Sequence, residues 1–221
     1  MTHNLDIFNF KKNKFWMFKL MGKYSINNKI FNVNGNHFFK LLGTGSKNGF
    51  NLIPDFSSYI ILSSSENDQA RKNLLSNVFY RDMINKCCTR KEITFEPYQS
   101  KGTWNNENPY KIVSEYKNKK ILAITRARVR PSKIFNFLIN TSVASKAIKD
   151  YEGVSYYKGV GEYPIIEPAT VSIWDNEKAV FDFAYNDLNH KKIMIKSREN
   201  NWYSEEMFIR SNIINIKEFN D

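Results

Sequence analysis

Ile121-Leu122-Ala123-Ile124-Thr125-Arg126-Ala127-Arg128-Val129-Arg130-Pro131-Ser132 is the stretch on which the fold turns. It changes from an apolar run to strict alternation, as a strand with one wetter end does. Pro131 stops the strand, and Ser132 is placed to cap a helix from Lys133 to about Lys149. In that helix Phe137, Ala144 and Ile148 recur on one face. Gly153 ends the unit. Tyr156-Tyr157-Lys158-Gly159-Val160-Gly161 then reads as a strand with a glycine turn, and Thr170-Val171-Ser172-Ile173-Trp174 as the next strand. Asp175-Asn176-Glu177 opens a second helical run. The order strand-helix-strand-strand-helix-strand is the ferredoxin-like arrangement.

A weaker copy precedes it. Phe38-Phe39-Lys40-Leu41-Leu42-Gly43-Thr44-Gly45 leads to Ser58-Tyr59-Ile60-Ile61-Leu62, then to the helix start Ser65-Glu66-Asn67-Asp68 and a helical run through Cys88. Asp6 to Phe10 supplies the opening strand of this copy and Phe15 to Tyr24 its first helix. The polar segment Gln99 to Pro109, carrying Gly102 and Pro109, reads as the linker. The expected architecture is α+β, with two fused ferredoxin-like repeats over residues 1–108 and 109–221. Their antiparallel sheets face each other in a dimeric α+β-barrel-type body.

Composition narrows the function. The 221 residues are 42% hydrophobic and 15% aromatic, enough for a substantial core and unlike a disordered or low-complexity chain. No apolar run is long enough to span a bilayer, and the first residues lack the order of a signal peptide, so a cytoplasmic protein is expected. The net charge is +11. Before Lys117 there are 16 basic and 9 acidic residues, and from Lys117 onward 17 and 13, giving +7 and +4. A charge spread this evenly argues against a nucleic-acid reader, which concentrates it in a tail or recognition helix. Cys87 and Cys88 are adjacent and build neither a disulfide framework nor a zinc site. Gly43, Gly45 and Gly49 lack dinucleotide-fingerprint spacing and fit a tight turn between strands. No Ser-His-Asp order and no H-E-x-x-H are present, so hydrolase and zinc-protease readings fall away.

Several stretches, taken in order, resemble the spheroidene monooxygenase family. They are Phe39-Lys40-Leu41-Leu42-Gly43-Thr44-Gly45 with Gly49-Phe50, Lys101-Gly102-Thr103-Trp104, Thr125 to Pro131, and Gly159-Val160-Gly161-Glu162. Ser172-Ile173-Trp174, Phe183-Ala184-Tyr185 with His190, and Trp202-Tyr203-Ser204-Glu205-Glu206 follow. The resemblance implies a dimeric α+β barrel that binds haem b and carries out oxygen chemistry. The expected partners are a small apolar substrate, which the matching stretches do not cover, an electron donor protein and a second copy of the chain in a homo-oligomer. Related barrels host haem-dependent aldoxime dehydration, so dehydratase chemistry and a non-catalytic barrel holding haem or a hydrophobe are the alternatives to a monooxygenase.

A haem iron needs an axial ligand. Of three histidines, His3 is expected in a frayed terminus and His37 at the start of a strand. His190 matches the family's histidine after Phe-Ala-Tyr. In an unbroken helix it shares a face with Phe183, Asp187 and Met194. It is the candidate iron ligand, against the alternative of a surface histidine among Asn189, Lys191 and Lys192. Phe183, Met194, Trp174, Trp202 and Tyr203 are candidate cofactor-lining residues, and each aromatic also reads as plain core. Arg126 and Arg128, on one side of their strand with Arg130, are catalytic candidates: they could bind haem propionates or a bound oxygen species. Their alternative is ion pairing with Glu205 and Glu206.

Overall fold

The computed structural model describes residues 1–11, 33–46, 48–49, 53–112, 114–149, 151–163 and 165–220, with the side chains of 141–147 and 189 set aside. The expected helix Phe15 to Tyr24 lies outside these residues. Among the described residues the strands are β1 (Thr2–Asn9), β2 (Asn36–Gly45), β3 (Pro54–Ser65), β4 (Thr89–Gly102), β5 (Ile121–Val129), β6 (Val154–Gly161), β7 (Pro168–Trp174) and β8 (Tyr203–Asn220). The α-helices among them are α1 (Asp68–Leu75), α2 (Val78–Lys86), α3 (Ile134–Ala147), α4 (Glu177–Phe181) and α5 (Leu188–Glu199). Within the first half the strands are hydrogen-bonded in the order β2-β3-β1-β4, and within the second in the order β6-β7-β5-β8. The antiparallel, sheet-rich α+β class expected from the sequence is what forms. No helix among the described residues is long and apolar enough to cross a membrane.

By its contacts the chain divides into two compact units. The first holds β1, β2, β3, the opening part of β4 and the end of β8. Within it β1 is the inner strand, paired antiparallel to β3 and to β4. Both edges of β1 are therefore paired, and the side chains on both of its faces are buried from His3 to Phe8. Asn67 and Asn77 cap α1 and α2, their side chains accepting from the N–H groups of Ala70 and Phe79 at 2.9 Å. These helices cover Phe8, Phe10, Tyr59 and Ile61 with Leu74, Phe79, Tyr80 and Met83. His3 departs from expectation: it is buried in β1, not frayed, with Nδ1 2.8 Å from Ser64 Oγ and its ring stacked on Phe95. The cause is non-local. Ladders from β3 and β4 both reach His3, so β1 begins at Thr2 and not at Asp6.

The second unit runs from Glu96 to Ile213, with residues 44–54. Its four complete strands lie in the order β6-β7-β5-β8, and β1 to β4 of the first half follow the corresponding order, β2-β3-β1-β4. Three boundaries differ from the sequence reading. Ser132 is not a cap: Pro131 opens a 3-10 turn over Pro131–Lys133, which α3 follows from Ile134. Proline's fixed φ starts the turn two residues before the helix start that a Ser132 cap would give. The supposed linker is partly strand, since β4 continues to Gly102 and Trp104 beyond it is buried. Its polar composition reflects groups used in the ion cluster described below. The helical run after Asp175 is broken: α4 ends at Phe181, a π-turn spans Asp182–Asn186, and Asp187 is extended at φ −66° and ψ 119°.

In the first unit one buried polar group stands inside the aromatic core. The Asp6 carboxylate, fully buried, accepts from Arg71 Nη2 at 2.7 Å and Tyr80 Oη at 2.6 Å. Arg71 also donates to Glu92 at 3.0 Å and Ser63 at 3.1 Å. Removing one member of a buried pair leaves the other charge without compensation. Arg71→Met is expected to lower unfolding stability by about 3–5 kcal/mol in urea titrations; a loss below about 1 kcal/mol would show that the network contributes little.

Candidate functional site in the second unit

β5 has two different faces, because successive side chains alternate. Ile121 and Ala123 join Trp174, Val180, Phe183 and Ile148 in one core cluster. Arg126 and Arg128 point to the opposite face. There Arg126, 1% exposed, pairs through Nη1 with Glu205 and through Nη2 with Glu167 at 3.1 Å. Its guanidinium carbon lies 5.5 Å from the centre of the Trp104 ring. Arg128 donates from Nε to Glu167 at 2.7 Å and from Nη2 to Asn105 at 2.7 Å. The arginine series thus has the ion-pair partner Glu205, together with Glu167, which the sequence did not single out.

The same cluster holds the 101–108 segment in place. Glu205 accepts from Thr103 Oγ1 at 2.9 Å and from the Asn106 N–H at 2.7 Å, while Trp104 Nε1 donates to Glu162 at 3.0 Å. Asn105 and Asn106 are left-handed, at φ 58° and 67°, a conformation that asparagine tolerates. Gly102 at φ +87° is required: a Cβ there would lie 2.0 Å from the Glu206 carbonyl oxygen. Lys101-Gly102-Thr103-Trp104, Gly161-Glu162 and Glu205, separate in sequence, meet here. Burial opposes ionisation of Glu205, but the Asn106 N–H, Arg126 and Thr103 outweigh it and hold the carboxyl at about 2.

On the helix-covered face the aromatic candidates Trp174 and Phe183 come together with His190. Phe183 lies 5.2 Å from Trp174 and 4.6 Å from His190, centre to centre, and Tyr151 packs on Phe183 at 5.1 Å. His190 was expected to reach Phe183 along an unbroken helix, but the helix is broken between them. The π-turn and the break at Asp187 bring His190 there. Asp187 caps α5, its Oδ1 accepting from the His190 N–H at 2.7 Å. A carbonyl can only accept, so the 3.2 Å contact between His190 Nδ1 and Ala184 O puts the proton on Nδ1. In the neutral ring the lone pair is then on Nε2. Burial lowers the His190 pKa below 6.5, against the opposing pull of the Ala184 carbonyl and Asp187. A neutral, hydrogen-bonded imidazole beside aromatic rings has the donor chemistry of an iron ligand.

Trp202 and Tyr203 are elsewhere. Trp202 is fully buried and meets Phe137 edge-on at 6.3 Å, and Tyr203 meets the same ring at 6.1 Å. With Val129 they form a separate core cluster, which Ile193 of α5 joins. Met194 is half-buried on α5. Arg126 and Arg128 are not brought to His190: they occupy the face of β5 opposite to Ala123, whose cluster includes Phe183. His37 is a half-exposed partner of Glu66 at 2.9 Å. Around the helices Phe135, Ile139, Leu188 and Ile195 leave large apolar side chains exposed.

No protein-family model matches the chain. The sequence is 25% identical over 182 residues to the spheroidene monooxygenase of Rhodobacter capsulatus, covering 80% of this chain and 75% of that protein. It is 29% identical over 182 residues to the spheroidene monooxygenase of Rubrivivax gelatinosus, covering 80% and 68%. The resemblance to spheroidene monooxygenases read from the separate stretches is borne out. Among solved structures an aldoxime dehydratase superposes with a TM-score of 0.63 at 9% identity, covering 100% of this chain and 84% of that one. At that identity the likeness is one of fold.

The low pKa of Glu205 has a measurable consequence. Its ionised form is stabilised fully above pH 4.5, and that stability is lost as pH falls from 4.5 through about 2. Glu205→Gln is expected to cost about 3 kcal/mol at neutral pH, and the gap from the unsubstituted protein should close toward pH 2. Urea titrations across this range check it. A difference independent of pH would remove the ionic account of the cluster.

Proposed function

We propose that the chain is a haem-dependent monooxygenase that oxidises a small apolar substrate, with His190 as the iron ligand. The observation that carries this reading is the placement of the His190 ring, with Nδ1 3.2 Å from the Ala184 carbonyl oxygen and the ring tilted against Phe183 at 4.6 Å. The sequence relation to spheroidene monooxygenases supports the oxygen chemistry. The matching strand order of the two halves supports a duplicated, ferredoxin-like origin, with the histidine retained in the second copy.

The haem, when bound, would supply the oxygen activation that protein side chains cannot. The chain's own residues have simpler tasks. The Ala184 carbonyl fixes the tautomer and raises the donor strength of His190. Asp187 holds the first turn of α5, and with it the position of the ring. Phe183, backed by Trp174 and Tyr151, keeps water from that side of the imidazole, and the apolar residues on α3 and α5 suit a substrate without charge. In the net reaction one oxygen atom of O2 enters the substrate. The other leaves as water, with two electrons and two protons supplied by an external donor such as an electron-transfer protein.

Turnover separates this from dehydratase chemistry. With haem-loaded protein and an apolar polyene or alkene panel, product should require both reductant and O2 and should carry label from 18O2. His190→Ala should lower the rate at least about 100-fold, while His37→Ala leaves it within about twofold, since His37 is a surface ion pair. Conversion of an aldoxime to a nitrile without electron consumption, and no oxygenation of the panel, would move the reading to a dehydratase.

A further inference from the structure

The helix-covered face of the second unit holds a cation for which the described residues provide no hydrogen-bonded anion. Arg210 on β8 is 1% exposed, and none of its three guanidinium nitrogens has a hydrogen-bond partner among the described residues. It lies directly opposite Ala123 in the β5–β8 ladder. Directly opposed residues share a face, so Arg210 is on the side of Ala123, Trp174 and Phe183, not on the side of Arg126. Its charge rests on aromatic faces, with the guanidinium carbon 4.1 Å from the centre of the Phe181 ring and 4.9 Å from that of Phe208. Cation–π contact leaves all five N–H donors unused.

Arginine is never deprotonated in a protein, so this is a buried, uncompensated charge. Such groups are destabilising unless a counter-charge is brought to them. Glu177 and Arg210 both act on the Tyr98 hydroxyl, in opposite directions. Glu177 forms no ion pair with Arg210 among the described residues. Phe181, by contrast, is 40% exposed and is the last residue of α4, immediately before the π-turn. Phe181 and Phe183 are two residues apart: one covers Arg210 and the other supports His190.

We infer that Arg210 anchors a carboxylate of the ligand held on this face, with Phe181 as the side chain that covers the contact. The planar fork of a guanidinium matches a carboxylate in a bidentate pair. The inference deepens the proposed haem function and rests on it for the identity of the ligand, since haem carries two propionates; a free carboxylate offers the same chemistry.

Absorption titrations with haem and with its dimethyl ester, in which the propionates are neutral, test this on the full chain. The unsubstituted protein should bind haem at least tenfold more tightly than the ester. Arg210→Met should bind the two within about twofold, with its ester affinity unchanged. Arg210→Lys, which keeps the charge and loses the fork, should retain part of the preference. The ligand-free Arg210→Met protein should melt no lower than the unsubstituted one, because the substitution removes a buried unpaired charge and keeps the volume. If instead it fails to fold, the Lys variant and the comparison of haem with its ester on the unsubstituted protein decide. Equal binding of haem and ester by the unsubstituted protein, or an undiminished preference in either variant, would overturn the inference and leave the haem reading standing. If neither form binds, the haem reading fails, and octanoate against octanamide decides by thermal shift. Stabilisation by octanoate alone, lost in Arg210→Lys or Arg210→Met, sustains a carboxylate site, and its absence overturns it.

Discussion

Alternation along β5, with both of its faces covered, is the constraint on which the second unit depends. Because β5 pairs antiparallel with β7 on one side and β8 on the other, none of its backbone is left to form an edge. Its buried residues, Ile121 to Ile124, Arg126 and Val129, must then each suit one of two environments. Ile121 and Ala123 meet an apolar, helix-covered layer, whereas Arg126 and Arg128 meet Glu167 and Glu205. A shift of one residue would place guanidinium groups under the helices and alkyl groups among carboxylates, so the register is strongly fixed. The two chemistries of the unit, ionic on one face and aromatic on the other, follow from that register.

The ionic face fixes local structure. Four segments distant in sequence meet at the Arg126, Glu205 and Glu167 group, and the backbone strain at Asn105 and Asn106 is held by hydrogen bonds to the same charges. The aromatic face is where a ligand is expected. Its distinguishing element is the π-turn after α4, an irregularity that recurs at functional sites. A regular helix from Glu177 to Glu199 would have left Asp187 inside the helix, unable to cap it. The break lets Asp187 start a new helix three residues before His190 and leaves the Ala184 carbonyl for the imidazole.

Local patterns made much of this legible. The alternation in 121–130 gave β5, and the two apolar runs 58–62 and 170–174 gave β3 and β7. The aromatic and histidine positions of the candidate site, Trp174, Phe183 and His190, came from the resemblance, and the first two of these also fit a core reading. What stayed hidden was set by distant partners. His3 is buried because two ladders enclose it, and nothing in Met1-Thr2-His3-Asn4 signals that. Asp6 and Arg71, 65 positions apart, carry no local mark of pairing. The 99–109 segment looked like a linker because its polar groups serve the Arg126 cluster and the end of β4. Arg210 sits in an alternating strand as an ordinary outward charge would, and only the helices packed over that face make it buried. Trp202 and Tyr203 were indistinguishable in sequence from ligand-lining aromatics, and Phe137 claims both.

Ligation of haem iron by His190 is tested most directly by absorption titration of the unsubstituted protein, His190→Ala and His37→Ala with haem. A saturable Soret band at one haem per chain is predicted for the first and the last, and loss or a changed spin state for His190→Ala. An unchanged band in His190→Ala, together with loss of haem in His37→Ala, would contradict the assignment and move the iron site to the first unit.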